Sequence, residues 1–184
     1  GAACFERAMA TALAVIEDNA AKVDGIKISL LDKDKESLMR RRLPAGVKMY
    51  TGDDFNYPEL IAGDAQGYSH ALLGIFDPLA PAAAYAVSKL GDGDRKAFHE
   101  TLDPTVPLAR LIFRAPTQYY KTGVVFLAWL NGFQDHFVML GGAQAMRPLP
   151  YFVEVFKLAS GCGLLRDPDL AVRRMRALLA LYGA

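Results

Sequence analysis

Val23-Asp24-Gly25-Ile26-Lys27-Ile28-Ser29-Leu30-Leu31-Asp32 is a short apolar run with one lysine near its centre. Burying an unpaired ammonium is costly, so a lysine between two isoleucines needs a reason. Side chains alternate across a strand. Lys27 therefore shares a face with Gly25 and Ser29, and Ile26 and Ile28 take the other. Two readings are open at this point. Lys27 either snorkels from an edge strand to water, or it faces the inside of a barrel as a reactive amine.

Working outward, Cys4 to Lys22 reads as an Ala-rich helix with Phe5, Met9, Leu13 and Ile16 on one face. After the lysine strand, a polar run opens a short helix with Asp34 as its expected cap. Leu43-Pro44-Ala45-Gly46 breaks that helix, and Val47 to Thr51 reads as a second strand. Phe55 to Ile61 is a short helix with Asp53 or Asp54 near its start. Gly67 to Leu73 reads as a third strand, and Asp77-Pro78 as the cap and first turn of a helix running to about Leu90. Helices alternating with short strands make the pattern of a parallel α/β array.

After Gly91 no further strand is convincing. Asp94 to Phe113 reads as a helix broken near Pro104 and Pro107, and Tyr119 to Leu130 as another, closed by Asn131-Gly132. Phe133 to Ala145 is ambiguous, with Gly141-Gly142 suggesting a loop. Pro150 to Leu158 and Asp169 to Leu181 complete a helical tail, which Asp167-Pro168-Asp169 opens in part.

The chain has 184 residues, of which 52% are hydrophobic, enough for a sizeable core and too apolar for disorder. A formal net charge of +1 gives no nucleic-acid footprint. Arg40-Arg41-Arg42 reads as the solvated end of a helix, with phosphate binding as the alternative. Cys4 and Cys162 show no metal spacing, and free thiols suit a reducing, cytoplasmic setting. The most apolar segment, Gly123 to Leu130, is too short to span a bilayer, and no signal peptide is evident.

In a parallel α/β array, ligands gather at the C-terminal ends of the strands. The residues there are Lys27 with Ser29, then Thr51, Gly52, Asp53 and Asp54, then Ser69 and His70. Taken singly, each has a plainer explanation. Asp53 and Asp54 can cap a helix, Gly52 can serve a turn, and His70 can be a hydrogen-bonded core residue. The two aspartates lack the His and Cys neighbours of a transition-metal site.

Their order carries more. Gly25-Ile26-Lys27-Ile28-Ser29, then Thr51-Gly52-Asp53-Asp54, then Gly67-Tyr68-Ser69-His70 resemble three successive strand ends of the dihydrodipicolinate synthase and N-acetylneuraminate lyase family. In the tail, Tyr120 to Val125 and Ala145-Met146-Arg147-Pro148-Leu149-Pro150 resemble that family's C-terminal helices and its Arg-x-Pro-x-x-Pro-like element. The resemblance implies a class I, Schiff-base aldolase or lyase on a (β/α)8 barrel, acting on pyruvate or another 2-oxo acid.

On that resemblance, residues 1–91 are the last three barrel strands and residues 92–184 a helical region packed on the barrel. Lys27 matches the lysine that attacks the ketone carbon. Gly52 and Asp53 match positions near the distal end of the substrate, and Ser69 a position whose carbonyl lies near the imine. Ser29 and His70 complete the expected binding set. No cofactor is needed, because the protonated imine is itself the electron sink. His70 departs from the family, which often has Ser or another small residue there. Leu30 and Leu31 replace a more polar run. The expected partners are the small-molecule substrate, further copies of the chain in a homo-oligomer, and an N-terminal barrel half, without which the segment should be inactive. A barrel relative that binds or regulates without catalysis is the alternative. Neither a nucleic acid nor a membrane is expected.

Overall fold

Met9, Leu13 and Ile16 recur at helical spacing along α1 (Ala2–Asp18), and all three are buried. They meet Met39 of α2 (Lys33–Arg40) and Met49 of β2 (Lys48–Thr51), with Phe5, Ile26 and Ile28 packed at the margin. The computed structural model describes residues 2–184. It is an α/β structure, mostly helical, with three parallel strands in the order β1-β2-β3. The chain divides into two compact units, the first ending at Gly74 and the second spanning Ile75–Ala184.

In the first unit β1 (Gly25–Ile28) pairs with β2 along its whole length, Gly25 opposite Lys48 and Lys27 opposite Tyr50. The third strand is shorter than its composition suggests. Gly67 to Leu73 reads as one extended run, yet only His70–Ala71 (β3) joins the ladder, with Tyr50 opposite His70. The residues before it are spent on a reversal. The Asp64 N–H donates to the Gly67 carbonyl, and the Ser69 N–H donates to Leu60 of α3 (Tyr57–Ala62) rather than to a strand. The helix caps differ too. Asp32, not Asp34, caps α2, its carboxylate accepting the Lys35 N–H at 3.2 Å. Leu31 has φ 53°, which turns the chain out of β1 and leaves Asp32 extended at the cap position. Asp34 falls instead in the first turn of α2, where its charge suits the dipole.

The second unit is helical: α4 (Phe76–Gly91), α5 (Arg95–Leu102), α6 (Val106–Ile112), α7 (Tyr120–Leu130), α8 (Leu149–Gly161) and α9 (Pro168–Leu181). α4 packs with α5 and α7, so it belongs with the tail helices. Asp77 lies inside the first turn of α4 and is not its cap, because the helix already begins at Phe76. The expected break near Pro104 is a 3₁₀ turn at Asp103–Thr105 between α5 and α6. Asp167 caps α9 by accepting the Leu170 N–H. Phe98, Leu108, Ile112, Phe126, Phe152 and Val155 form the fully buried centre.

Arg147 of the Arg-Pro element is buried in this unit. It donates to the carbonyls of Arg114, Ala115 and Pro116, and its guanidinium lies over the Tyr151 ring. A buried charged donor that binds three loop carbonyls is hard to replace. Arg147→Ala is expected to cost ~3 kcal/mol of stability, read as a lowered urea midpoint. An unchanged midpoint would show that the 114–116 loop does not depend on this clamp.

Candidate functional site

The alternation of β1 has a direct consequence. Ile26, Ile28 and Met49 enter the core against α1 and α2. Aligned partners of parallel strands share a face, so Gly25 and Lys27, Lys48 and Tyr50, and His70 all lie on the other side of the sheet. Lys27 and Ser29 are exposed there, while Tyr50 and His70 are half-buried.

Two glycines shape this surface. The Gly52 N–H continues the ladder by donating to the Ile28 carbonyl at 2.6 Å. A methyl group on Gly52 would meet the Ser29 hydroxyl, and would stand 2.7 Å from Lys27 Cε and 2.8 Å from the Ile28 carbonyl oxygen. The lysine stem thus lies across bare backbone. A methyl group on Gly25 would stand 2.6 Å from the Tyr50 ring, which leans back over that glycine. Gly52→Ala is expected to cost about 1–3 kcal/mol, because the Ile28 carbonyl is backbone and cannot yield as a side chain can. Thermal unfolding checks this, and an unchanged transition would contradict the close approach.

The Tyr50 hydroxyl donates to Asp24 Oδ2 at 2.5 Å, and Lys48 Nζ lies 2.7 Å from Asp24 Oδ1. Bonds from Lys48 and Tyr50 hold the Asp24 carboxyl below its ordinary range, and the same contact with Asp24 raises the Tyr50 phenol. Asp24 precedes β1, so the Tyr50 hydroxyl is engaged at the end of the sheet opposite Ser29 and Gly52. The His70 ring packs against the Tyr50 ring at 5.4 Å and the Tyr68 ring at 5.1 Å between centroids.

The candidate residues therefore separate into two groups. Lys27, Ser29, Gly52 and His70 share the sheet face opposite the α1–α2 core. Asp53 and Ser69 put their side chains to other use. Asp53 is buried, one carboxylate oxygen accepting the N–H groups of Phe55 and Asn56 and the other the Asn56 side-chain amide. It fixes the turn that leads into α3. The Ser69 hydroxyl donates at 2.7 Å to Glu36 of α2, on the helix-covered side.

Glu36 is a residue that sequence reading missed. It is 1% exposed and accepts from the hydroxyls of both Thr51 and Ser69, at 2.8 and 2.7 Å. Burial pushes its carboxyl pKa up against the lowering effect of those two hydroxyls. One helix turn on, Arg40 donates to Ser69 Oγ at 3.3 Å and to Asp64 Oδ2 at 2.9 Å. The Arg40 side chain is 7% exposed, so the basic cluster is not simply solvated: its first member closes a network beneath the sheet. The detectable signal was spacing. Glu36, Met39 and Arg40 lie at i, i+3 and i+4, and Glu36 shares the buried side with Met39.

In the second unit a cavity of about 340 Å³ is lined by Pro78, Pro81, Phe133, Cys162, Leu164 and Arg166. Cys162 is half-buried and donates to the Pro104 carbonyl, and burial raises its thiol pKa, the reverse of what a nucleophilic thiolate needs. Among the described residues no group of three or more His, Cys, Asp or Glu side chains is placed to hold a metal. No helix among them is long and apolar enough to cross a membrane.

Fold and surface together define an α/β protein with a short parallel sheet, one face packed on α1 and α2 and the other bearing a lysine, a serine, a glycine floor and a histidine. The chain belongs to a family described as "Protein of unknown function (DUF993)", whose model matches residues 1–184. No curated protein matches the chain.

Proposed function

We propose that the protein is a Schiff-base-forming lyase or aldolase acting on pyruvate or another 2-oxo acid, with Lys27 as the nucleophile. The observation that carries this reading is the placement of Lys27, Ser29, Gly52 and His70 on the sheet face opposite the α1–α2 core of the first unit. In a barrel of alternating strands and helices the helix-free face is the interior, where strand C-termini gather the reacting groups. On this reading the three strands are the last three of a (β/α)8 barrel. Three strands cannot close one, so the remainder comes from outside residues 1–184.

The chemistry needs little else. The Lys27 amine, as its neutral form, attacks the ketone carbon, and the carbonyl oxygen leaves as water. The protonated imine then accepts electrons from a breaking carbon–carbon or carbon–oxygen bond. Closure of the barrel would desolvate the amine and favour the neutral form. Gly52 lets the lysine stem lie flat across the sheet, and Ser29 lies beside it. Two unpaired cysteines, Cys4 and Cys162, support the cytoplasmic setting that goes with this reading.

The test is borohydride reduction of the full-length protein with a panel of 2-oxo acids, followed by intact-mass measurement. A stable adduct with pyruvate or a close relative is expected. A folded protein that forms no adduct with any member of the panel would overturn the reading in favour of a non-catalytic relative.

A further inference from the structure

We infer that the second unit carries a binding site for a small monocarboxylate with an apolar body, its acid group held by Arg166 and the side-chain amide of Asn131. The site is independent of the chemistry proposed for Lys27.

The cavity of about 340 Å³ is built by three segments of that unit, the first turns of α4 and the turns that follow α7 and α8. Asn131-Gly132-Phe133 and Cys162-Gly163-Leu164 end their helices in the same way. Gly132 has φ 78° and Gly163 φ 67°, and the Phe133 and Leu164 N–H groups donate back to the carbonyls of Ala128 and Ala159. In this motif an apolar residue after the glycine commonly packs on its own helix. Phe133 instead stays 65% exposed at the cavity. Pro78 and Pro81, three residues apart on α4, supply a further wall, and a proline ring loses no rotamer freedom when it is covered. Stiff apolar walls of this kind suit an apolar ligand body.

Asn131 sets the acid end. It is 9% exposed and lines the cavity. Its amide oxygen accepts the Arg166 N–H at 2.8 Å, which fixes the orientation of the amide. The amide nitrogen has no partner among the described residues and is the end left for the cavity. The same bond brings Arg166 alongside. Its guanidinium lies 5.5 Å from the centre of the Phe133 ring and has no carboxylate partner among the described residues. An amide nitrogen and a guanidinium side by side on an apolar cavity are donors without an acceptor, the complement of a carboxylate.

The helix ends do not oppose this. Open carbonyls at the ends of α7 and α8 would repel an acid group. Those of Leu127, Ala128 and Trp129 and of Leu158, Ala159 and Ser160 already accept backbone N–H groups. Asp77, also on the cavity, limits the ligand to one acid group, because a second would meet a like charge.

Isocaproate and L-leucine carry the same apolar body and acid group, without and with an ammonium. They separate a fatty acid from an amino acid as the source of that chemistry. Each is titrated calorimetrically into the full-length protein, and the site is located by N-ethylmaleimide labelling with peptide mapping. Cys162 lines the cavity, whereas the exposed Cys4 lies in the other unit and is the internal control. At least one of the two acids is expected to bind. At about ten times its Kd it should slow labelling of Cys162 about 10-fold and leave Cys4 unchanged. Arg166→Met is expected to weaken binding roughly 10-fold or more. Asn131→Asp keeps the oxygen that accepts the Arg166 N–H and exchanges the amide donor for a negative charge, so it is expected to abolish binding. Adipate, with a second acid group, and isoamylamine, with the opposite charge, are expected not to bind. Binding of neither acid to the folded protein would overturn the site. So would Cys162 labelling that the bound acid leaves unchanged, equal slowing at Cys4, an affinity that survives both substitutions, or equally tight binding of adipate or isoamylamine.

Discussion

Lys27→Arg is expected to abolish borohydride-trapped adducts, down to the level of a control without substrate, and to leave the protein folded. Arginine keeps the positive charge, but its guanidinium does not deprotonate in proteins, so it cannot add to a ketone. Lys27 is exposed on its sheet face and packs by its stem across Gly52. A substitution there should change stability by only about 0.5 kcal/mol. Loss of trapping with an unchanged thermal transition therefore points to the amine and not to the fold. Trapping that survives in Lys27→Arg would move the chemistry to another lysine.

The second large effect belongs to Glu36. Glu36→Ala removes the shared acceptor of the Thr51 and Ser69 hydroxyls and leaves a cavity between α2 and the sheet. The expected loss is ~3 kcal/mol, from two buried donors left unsatisfied plus lost packing. Urea unfolding of the full-length protein reads it. β3 has two ladder residues, so the bridge from Thr51 of β2 to Ser69 beside β3 is a main tie between those strands.

The pH dependence of the same residue has a definite sign. Burial raises the folded-state pKa of Glu36 above its unfolded value, with Asp53 adding to the rise and Ser69, Thr51 and Arg40 opposing it. A carboxyl so shifted contributes stability that is present below the unfolded value of about 4.3 and is lost as pH rises through the folded pKa. The stability of the parent protein relative to Glu36→Gln should therefore fall as pH rises from about 4 and level off above the Glu36 pKa. A constant difference across that range would contradict the raised pKa. The surface aspartate Asp24 acts in the opposite direction. Its carboxyl is held low by Lys48 and Tyr50, so its contribution is lost as pH falls through its folded pKa.

Much of this architecture is legible in the residues, for physical reasons that differ from place to place. The stripe of Met9, Leu13 and Ile16 is visible because helix burial follows a fixed period. The division of β1 into Ile26 and Ile28 on one side and Lys27 on the other is visible because strand alternation is as strict. Glu36 was hidden for the converse reason. Lys33-Asp34-Lys35-Glu36 looks like a solvated turn; the i, i+3 spacing to Met39 hints at the buried side, but the two hydroxyls that Glu36 meets come from sequence-distant positions. Asp32 and Asp34 are both good caps by type, and only the left-handed turn at Leu31 selects between them. The shortness of β3 came from the reversal at Asp64–Gly67, which takes up residues that propensity alone would put in a strand. Within the candidate site, the residues whose side chains point along the sheet normal were found together. Asp53 and Ser69, chosen by motif position, use their side chains to hold the turn into α3 and the Glu36 network.

The most direct measurement is peptide mapping of the protein after reduction with borohydride in the presence of each 2-oxo acid of the panel. The account predicts one modified peptide, the one that carries Lys27, with the added mass on that lysine. An adduct confined to any other lysine, or none in a protein that retains its fold, would contradict it.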